Sequence, residues 1–171
     1  FIMSVRISYA ESFMLESPDK NTTVLINTHN GISFSLFSQE MPLLEDVFIS
    51  MKINGLNHPS SSKNIKAKYS SADKIEKPII PLKCSLIKTQ YNEMNLFFSD
   101  GFILCFRLFN NGFAYRFQSS FSDEIIVNDE TLSIPFSSTA RLFFPEEESF
   151  LSHNERYYKE YTSDSLREGQ F

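Results

Sequence analysis

Residues Tyr91–Phe117 read YNEMNLFFSDGFILCFRLFNNGFAYRF, in which three short apolar runs are separated by two turn signals. The turn signals are Asp100-Gly101 and Asn111-Gly112, and the runs around them are dominated by Phe, Leu and Ile. Asp-Gly and Asn-Gly supply the positive backbone φ that tight hairpin turns need, because glycine has no Cβ to clash. The stretch therefore predicts a three-stranded antiparallel meander.

Strand and turn signals continue on the N-terminal side of this stretch. Ser17-Pro18-Asp19 predicts a turn, because proline fixes φ and aspartate can bond its own backbone, and a strand follows at Thr22–Asn27. His29-Asn30-Gly31 predicts a hairpin before Ile32–Phe37, where apolar residues alternate with serines. Leu43–Ile53 is either a short extended piece or a loop that carries apolar side chains into the core.

The flanking regions on the other side are less regular. Asn54–Ser85 has the weakest pattern and is interpreted as largely loop. Glu124–Asn128 and Thr131–Phe136 are predicted as two strands separated by a turn at Asn128-Asp129, and Ala140–Phe144 as a further strand. Roughly ten short strands, with no convincing helix between them, predict an all-β antiparallel sandwich or barrel and disfavour a parallel βαβ sheet.

Composition narrows the class of protein. The chain has 171 residues, enough for one domain with a substantial core, and its 18 Phe and 7 Tyr suit the pleated, half-buried surfaces of strands. The net charge of −5 and the absence of a basic block argue against nucleic acid as a partner. No stretch approaches the ~20 apolar residues of a membrane-spanning helix.

Three segments are predicted along the chain. Residues 1–16 are interpreted as a leader or as a disordered or edge segment, since Ser8-Tyr9-Ala10 resembles the small-x-small end of a signal peptide. Residues 17–151 are predicted to form the β-sandwich. Residues 152–171 are predicted to form a short irregular or helical tail, which is charged and rich in tyrosine.

Cysteines and histidines give little sign of a site. Cys84 and Cys105 are interpreted as two buried thiols, although a disulfide between them stays open at this point. His29, His58 and His153 are far apart in the sequence, and the spacing of cysteines and histidines does not suit zinc. Surface or structural roles are therefore predicted for the three histidines.

Charged residues are more informative. Arg107 and Arg116 lie inside apolar strands, and because an unpaired charge in a core is costly, each should reach solvent, a carboxylate or carbonyl groups. They therefore lie on the outward face of the sheet or build an interface with another domain. Glu146-Glu147-Glu148 is interpreted as a solvated loop, and Ser152–Tyr161 as a surface segment that also suits a carbohydrate surface or a domain junction.

The segment Phe106–Phe117 carries a resemblance to a known family. It reads FRLFNNGFAYRF, and it resembles the fR-x-Y-N-D-G-x-A-[FY]-R-[FY] segment in the N-terminal domain of glycoside hydrolase family 97. That family holds enzymes of the α-glucosidase and α-galactosidase type from Bacteroides-like bacteria. Ser17-Pro18-Asp19, Tyr91-Asn92-Glu93-Met94 and Glu130 match further pieces of the domain in the same order, so the resemblance extends from about Ser17 to the end of the chain.

The resemblance implies a large, curved super-sandwich of the galactose-mutarotase type. A catalytic (β/α)8 barrel would follow in the same polypeptide, with residues 152–171 as the linker that leads to it. Arg107, Arg116, Asn111 and Gly112 would then be structural or interface residues. The chain alone is expected to be inactive, because a glycosidase needs a pair of carboxyl groups at a defined separation and these would lie in the barrel.

The resemblance also implies a metal ligand. The family's active site holds a calcium ion, and one of its Glu ligands comes from a segment resembling h-x-E-R-x-Y at the end of the N-terminal domain. His153–Tyr158 matches that segment, so Glu155 is the implied ligand, with Glu160 as the fallback. Calcium prefers six to eight oxygen ligands, so a single carboxylate from this chain would bind it poorly.

The expected function is that of a non-catalytic N-terminal domain in a calcium-dependent α-glycosidase. The parent enzyme would act on an α-linked oligosaccharide, either a glucoside or a galactoside, in the periplasm or outside the bacterial cell. The sequence does not separate a retaining from an inverting mechanism. The alternative is a stand-alone carbohydrate-binding or adhesion sandwich that uses exposed aromatic side chains.

Overall fold

The computed structural model describes residues 12–60, 64–149, 151–153 and 155–167. The chain divides into two compact units, with the boundary between Ile134 and Pro135. Most of the predicted leader at residues 1–16 lies outside the described residues, and its last part, from Ser12 on, is a strand.

The described part of the first unit forms ten strands. They are β1 (Ser12–Glu16), β2 (Thr22–Asn27), β3 (Ile32–Ser38), β4 (Met41–Ile53), β5 (Leu56–His58), β6 (Lys66–Glu76), β7 (Ile87–Phe97), β8 (Phe102–Phe109), β9 (Gly112–Ser119) and β10 (Val127–Ser133). One sheet has the order β1-β2-β3-β4-β10, with β5 also pairing to β4, and the other has the order β6-β7-β8-β9. The paired strands are antiparallel, which confirms the predicted all-β antiparallel sandwich.

The core lies between the two sheets. Because side chains alternate across a strand, the apolar positions of each strand share one face. The largest fully buried side chains come from both sheets: Phe102, Phe106, Ile26, Ile32, Ile49, Met94, Leu96, Leu104, Leu108, Val24 and Val47. Phe34 of the first sheet contacts Phe106 and Phe113 of the second, with ring centroids 6.3 Å and 4.9 Å apart. Phenylalanines of both sheets therefore contribute to the packing between the sheets.

Hydrogen bonds between the sheets add to this packing at one edge. The Asn92 side-chain amide donates to the Glu16 carbonyl oxygen at 2.8 Å, which links β7 to β1. The Asp19 backbone N–H donates to Asn110 Oδ1 at 3.1 Å, which links the β1–β2 turn to the β8–β9 turn. The predicted turn at Ser17-Pro18-Asp19 is confirmed, and Ser17 is fully buried and donates to Asp19 Oδ1 at 2.6 Å.

The predicted meander is β7-β8-β9, but its two turns differ. Gly101 has a φ of +82°, as predicted for an Asp-Gly turn. Gly112 is not in the left-handed region, which corrects the prediction for Asn111-Gly112. The reason is the register, since Phe109 pairs with Gly112 and the loop consists of Asn110 and Asn111. Gly112 is thus the first residue of a strand.

Three further predictions are corrected or resolved. Leu43–Ile53 is part of the continuous strand β4. The turn predicted at Asn128-Asp129 is wrong, because β10 runs through it with a register shift, and Asn128 Oδ1 accepts the Gly55 N–H at 2.7 Å. The largely loop interpretation of Asn54–Ser85 missed β6, an edge strand whose side chains are almost all exposed. Such a strand needs no apolar face, so it has no period-2 signal.

The second unit contains a small two-stranded sheet. Strands β11 (Arg141–Pro145) and β12 (Tyr158–Thr162) pair antiparallel, and the rings of Phe144 and Tyr161 stack 4.8 Å apart. A one-turn 3-10 helix follows at Ser163–Ser165. The tail is therefore only partly irregular or helical as predicted, because it supplies one strand of this sheet.

Both cysteines are free. Cys105 is 2% exposed, so its predicted burial is confirmed. Cys84 is exposed, and the prediction of a second buried thiol is wrong because it lies in the irregular segment before β7. Within the described ranges, the structure has no helix of the length and apolarity that a membrane span requires.

The β7–β8 turn is tied to the segment after β5. Asp100 Oδ2 accepts hydrogen bonds from the Ser60 backbone N–H at 2.7 Å, the Ser60 hydroxyl at 2.8 Å and His58 Nδ1 at 3.1 Å. Asp100 Oδ1 accepts the Phe102 N–H at 3.2 Å. Burial alone would raise the pKa of Asp100, but the hydrogen bonds from Ser60, Phe102 and His58 outweigh it, and the pKa lies below its usual 3.8.

We expect Gly101→Ala to lower the free energy of unfolding by about 1–2 kcal/mol, because the left-handed conformation is costly for alanine. A Cβ at Gly101 would also lie 2.9 Å from the Ser120 hydroxyl. Gly112→Ala is the matched control, since a Cβ there meets no atom within 4 Å. Its effect should stay within about 0.5 kcal/mol. Urea denaturation followed by circular dichroism measures both, and equal effects would contradict this account of the turns.

The Asp100 network also predicts acid sensitivity. A carboxylate whose pKa is lowered by folding stabilises the native state above its unfolded pKa, and this stabilisation is lost as the pH falls through the folded pKa. Between about pH 6 and about pH 3, the wild type should therefore lose more stability than Asp100→Asn, which has no charge to protonate. Asp129→Asn, at an exposed position on β10, should follow the wild type. Parallel acid profiles for the wild type and Asp100→Asn would count against the network.

Candidate functional site

The residues singled out in the sequence lie in both units. Glu155 and Glu160 belong to the second unit, and Arg107, Arg116, Asn111 and Gly112 to the β8–β9 hairpin of the first.

Glu155 lies just before β12, and it is exposed. Its backbone N–H donates to His153 Nδ1 at 3.0 Å. Its carboxylate has no hydrogen bond or salt bridge to any residue that the structure describes. The intervening Asn154 of the predicted motif lies outside the described residues. Glu155 thus presents two carboxylate oxygens, the ligand type that calcium prefers.

The fallback ligand, Glu160, has a partner already. It lies on β12, and its carboxylate accepts a hydrogen bond from Arg141 Nε on the neighbouring strand β11. This hydrogen bond from Arg141 lowers the pKa of Glu160. Because a metal would have to compete with this ion pair, Glu155 is the more available of the two carboxylates.

The Glu146-Glu147-Glu148 segment differs from the predicted solvated loop. Glu146 Oε2 accepts from Lys159 Nζ at 2.9 Å and from the Tyr161 hydroxyl at 2.6 Å. The Glu147 side chain is only 5% exposed and accepts from Arg156 Nε at 3.3 Å, and no residue in the described ranges donates to its buried Oε1.

A cavity of about 440 Å³ lies here, and its lining consists of Glu146, Glu147, Glu148, Arg156, Tyr157 and Lys159. The two cations Arg156 and Lys159, which follow the acidic run in the sequence, were the signal that could have indicated these ion pairs. The described parts of the chain do not bring three His, Cys, Asp or Glu side chains together as a metal site. A calcium site that uses Glu155 would therefore need ligands from elsewhere.

Arg107 lies on the outer face of the second sheet, and its guanidinium contacts Glu93 and Tyr91 of the neighbouring strand β7. Its Nε donates to Glu93 Oε2 at 2.5 Å, and its guanidinium lies 4.4 Å from the centre of the Tyr91 ring. Burial would raise the pKa of Glu93, but the hydrogen bonds from Arg107 and Asn95 lower it below its usual value. The expectation that Arg107 reaches a carboxylate is met.

Arg116 is exposed and pairs in register with the buried Cys105. It forms no hydrogen bond or salt bridge within the described ranges. Arg107, Cys105 and Arg116 border a small cavity of about 120 Å³. Asn111 is exposed in the β8–β9 turn. An interface role for Arg116, Asn111 and Gly112 stays a prediction.

The comparison with protein families gives a match over residues 15–170 to the family described as Glycosyl-hydrolase 97 N-terminal. This range covers the sandwich and the second unit, including Glu155. No curated protein matches the sequence.

Solved structures share the fold. One is a glycoside hydrolase family 97 enzyme from Pseudoalteromonas sp. strain K8 in complex with acarbose, with 17% identity, a TM-score of 0.65, and coverage of 77% of this chain and 22% of that chain. Another is a beta-arabinopyranosidase, with 19% identity, a TM-score of 0.67, and coverage of 86% of this chain and 26% of that chain. At these identities the likeness shows the fold alone.

This chain spans about a quarter of the length of these structural relatives. The family match extends over nearly the whole chain, with Glu155 and the β8–β9 hairpin inside it. The chain therefore belongs to the family of glycosyl hydrolase 97 N-terminal domains.

Proposed function

We propose that this domain packs against a catalytic (β/α)8 barrel in the same polypeptide and contributes Glu155 to a calcium site in the active centre of an α-glycosidase. The observation that carries the proposal is the family match over residues 15–170 together with the exposed, unpaired carboxylate of Glu155 inside it. The fallback ligand is Glu160, whose carboxylate would first have to break its ion pair with Arg141.

A non-catalytic role agrees with how the domain uses its carboxylates. Glycosidases place two carboxyl groups about 5–9.5 Å apart on either side of the scissile bond. In this chain Glu93 is paired with Arg107, Glu146 with Lys159 and Glu160 with Arg141. Carboxylates held by arginine and lysine in this way stabilise structure, so the acid and the base would come from the barrel.

The surroundings of Glu155 suit a metal ligand. His153 accepts the Glu155 backbone N–H, which restrains the chain just before β12. Glu147 holds the guanidinium of Arg156, the cation next to Glu155 in the sequence. Both interactions leave the Glu155 carboxylate available. When bound, calcium would supply positive charge that stabilises negative charge developing on the leaving-group side of the reaction.

The proposed substrate is an α-linked oligosaccharide, a glucoside or a galactoside. Structures of the Pseudoalteromonas enzyme in complex with acarbose and with panose are consistent with α-glucosidic substrates in this family. The beta-arabinopyranosidase among the structural relatives adds arabinopyranosides to the substrates worth assaying. A location in the periplasm or outside the bacterial cell stays a prediction.

In the full polypeptide with its barrel, Glu155→Gln should weaken calcium binding at least tenfold. The reason is that even the loss of groups supporting metal ligands costs about 10- to 100-fold in affinity or activity. Isothermal titration calorimetry measures the affinity, and hydrolysis of aryl α-glucoside and α-galactoside measures kcat/KM. Glu148→Gln, at an exposed position in the same unit, is the matched control. Unchanged calcium affinity in Glu155→Gln, with a loss in Glu160→Gln instead, would transfer the role to Glu160.

The 171-residue chain by itself should hydrolyse none of these substrates and should bind calcium more weakly than about 1 mM, since one carboxylate cannot build the shell of six to eight oxygens. The same hydrolysis assay and calorimetry test this. Hydrolysis that scales with the concentration of the purified chain would contradict the non-catalytic role.

A further inference from the structure

A second cavity, of about 480 Å³, lies in the first unit. It opens between the β4–β5 turn, the β7–β8 turn and the segment that follows β9. Its lining combines apolar side chains with hydroxyl, imidazole and carboxylate groups. None of its lining residues belongs to the proposed calcium site.

The apolar part of the lining comes from strands β4 and β5 of the first sheet and from the segment that follows β9. Ile53 is 2% exposed, and Phe121 and Ile125 are half-buried. Leu56 is 65% exposed and lies at the rim. The Phe121 ring packs edge-on against His58, with centroids 5.6 Å apart. This part of the cavity can cover the apolar face of a ligand.

The imidazole ring of His58 is the polar group of the cavity whose orientation is fixed by its neighbours. Its side chain is 11% exposed and its ring stacks on Phe102 at 5.7 Å. The Asp100 carboxylate accepts a hydrogen bond from His58 Nδ1, so Nδ1 carries a proton. In the neutral imidazole ring, His58 Nε2 is then a hydrogen-bond acceptor. Asp100 is itself satisfied by Ser60 and Phe102, so it holds the ring in place.

The negative charges of the lining select against anions, and the arrangement of its side chains does not favour a metal ion. Asp123 and Glu124 add two exposed carboxylates, and the lining contains neither lysine nor arginine, so a phosphate or a carboxylate ligand would be repelled. The described residues do not form a group of three metal-ligating side chains. A small ammonium ion would gain little from exposed, solvent-screened carboxylates and would leave the apolar lining uncovered.

We propose that this cavity binds a pyranose unit of a saccharide. A pyranose has an apolar C–H face and an edge of hydroxyl groups, and the cavity offers a surface for each. The C–H face packs on Phe121 and Ile125, while hydroxyls donate to His58 Nε2 and to the carboxylates of Asp123 and Glu124. The choice of a saccharide over other polyols rests on the proposed function of the parent enzyme.

Saturation-transfer NMR on the 171-residue chain tests the proposal, with glucose, galactose, arabinose and maltose as probes and EDTA present. We expect at least one of these saccharides to bind. Glu124→Gln and Asp123→Asn should each weaken binding about fivefold, the effect of losing roughly one hydrogen bond. Glu45→Gln is the matched control, because Glu45 is an exposed glutamate on β4 outside the lining.

A second measurement reports on the cavity directly. In histidine-ring NMR spectra, the saccharide should shift the signals of His58 and leave those of His29 and His153 unchanged, with His58→Gln identifying the signals. Binding of none of the four saccharides would overturn the proposal. Binding that Glu124→Gln and Asp123→Asn both leave unchanged, or n-butylammonium shifting His58 at lower concentration than any saccharide, would do so as well.

The outcome of the saccharide-binding test is independent of the outcome of the calcium test on Glu155. Saccharide binding is measured without a barrel and without calcium, whereas the role of Glu155 is measured through calcium affinity and hydrolysis in the full polypeptide. A chain that binds no saccharide therefore overturns the cavity proposal alone. Unchanged calcium binding in Glu155→Gln affects only the calcium proposal.

Discussion

The packing of aromatic rings between the two sheets is the interaction on which the rest of the first unit depends. Phe34 contacts Phe106 and Phe113 from the opposite sheet, and Phe106 is completely buried. Each sheet alone would expose its apolar face to water, and burying a side chain of this size contributes about 1.5–3 kcal/mol. The turns and loops that carry the polar networks are held in place because their strands are fixed by this core.

The charged side chains of the strands pair with one another outside that core. Arg107 occurs in the most apolar strand, yet strand alternation places it on the outer face, where Glu93 and Tyr91 hold it. In the second unit the same principle pairs Glu146, Glu147 and Glu160 with Lys159, Arg156 and Arg141. Glu155 differs from these glutamates because its carboxylate is exposed and has no partner in the described residues. This difference supports the proposal that Glu155 is the ligand of a shared metal.

The two proposed sites use different parts of the domain. Glu155 would complete a metal shell whose other ligands come from another part of the polypeptide, so its role depends on a partner domain. The cavity around His58 and Phe121 is lined by strand residues and loops of the first unit. The two proposals together would give the domain two roles in the parent enzyme, which are contributing a calcium ligand and binding a saccharide unit.

The sequence by itself determined the all-β class and the meander from Tyr91 to Phe117, because turn residues and period-2 apolar patterns are local signals. The family was indicated by the resemblance of Phe106–Phe117 to a known motif. The resemblance also implied Glu155 as a metal ligand, which stays a prediction. Only the tertiary structure decided that β6 is a strand, that Glu147 is buried, and that His58 and Asp100 meet across 42 positions of sequence. The physical reason is that edge-strand pairing, burial of a charge and hydrogen bonds between loops depend on distant parts of the chain, which come together only when the two sheets pack.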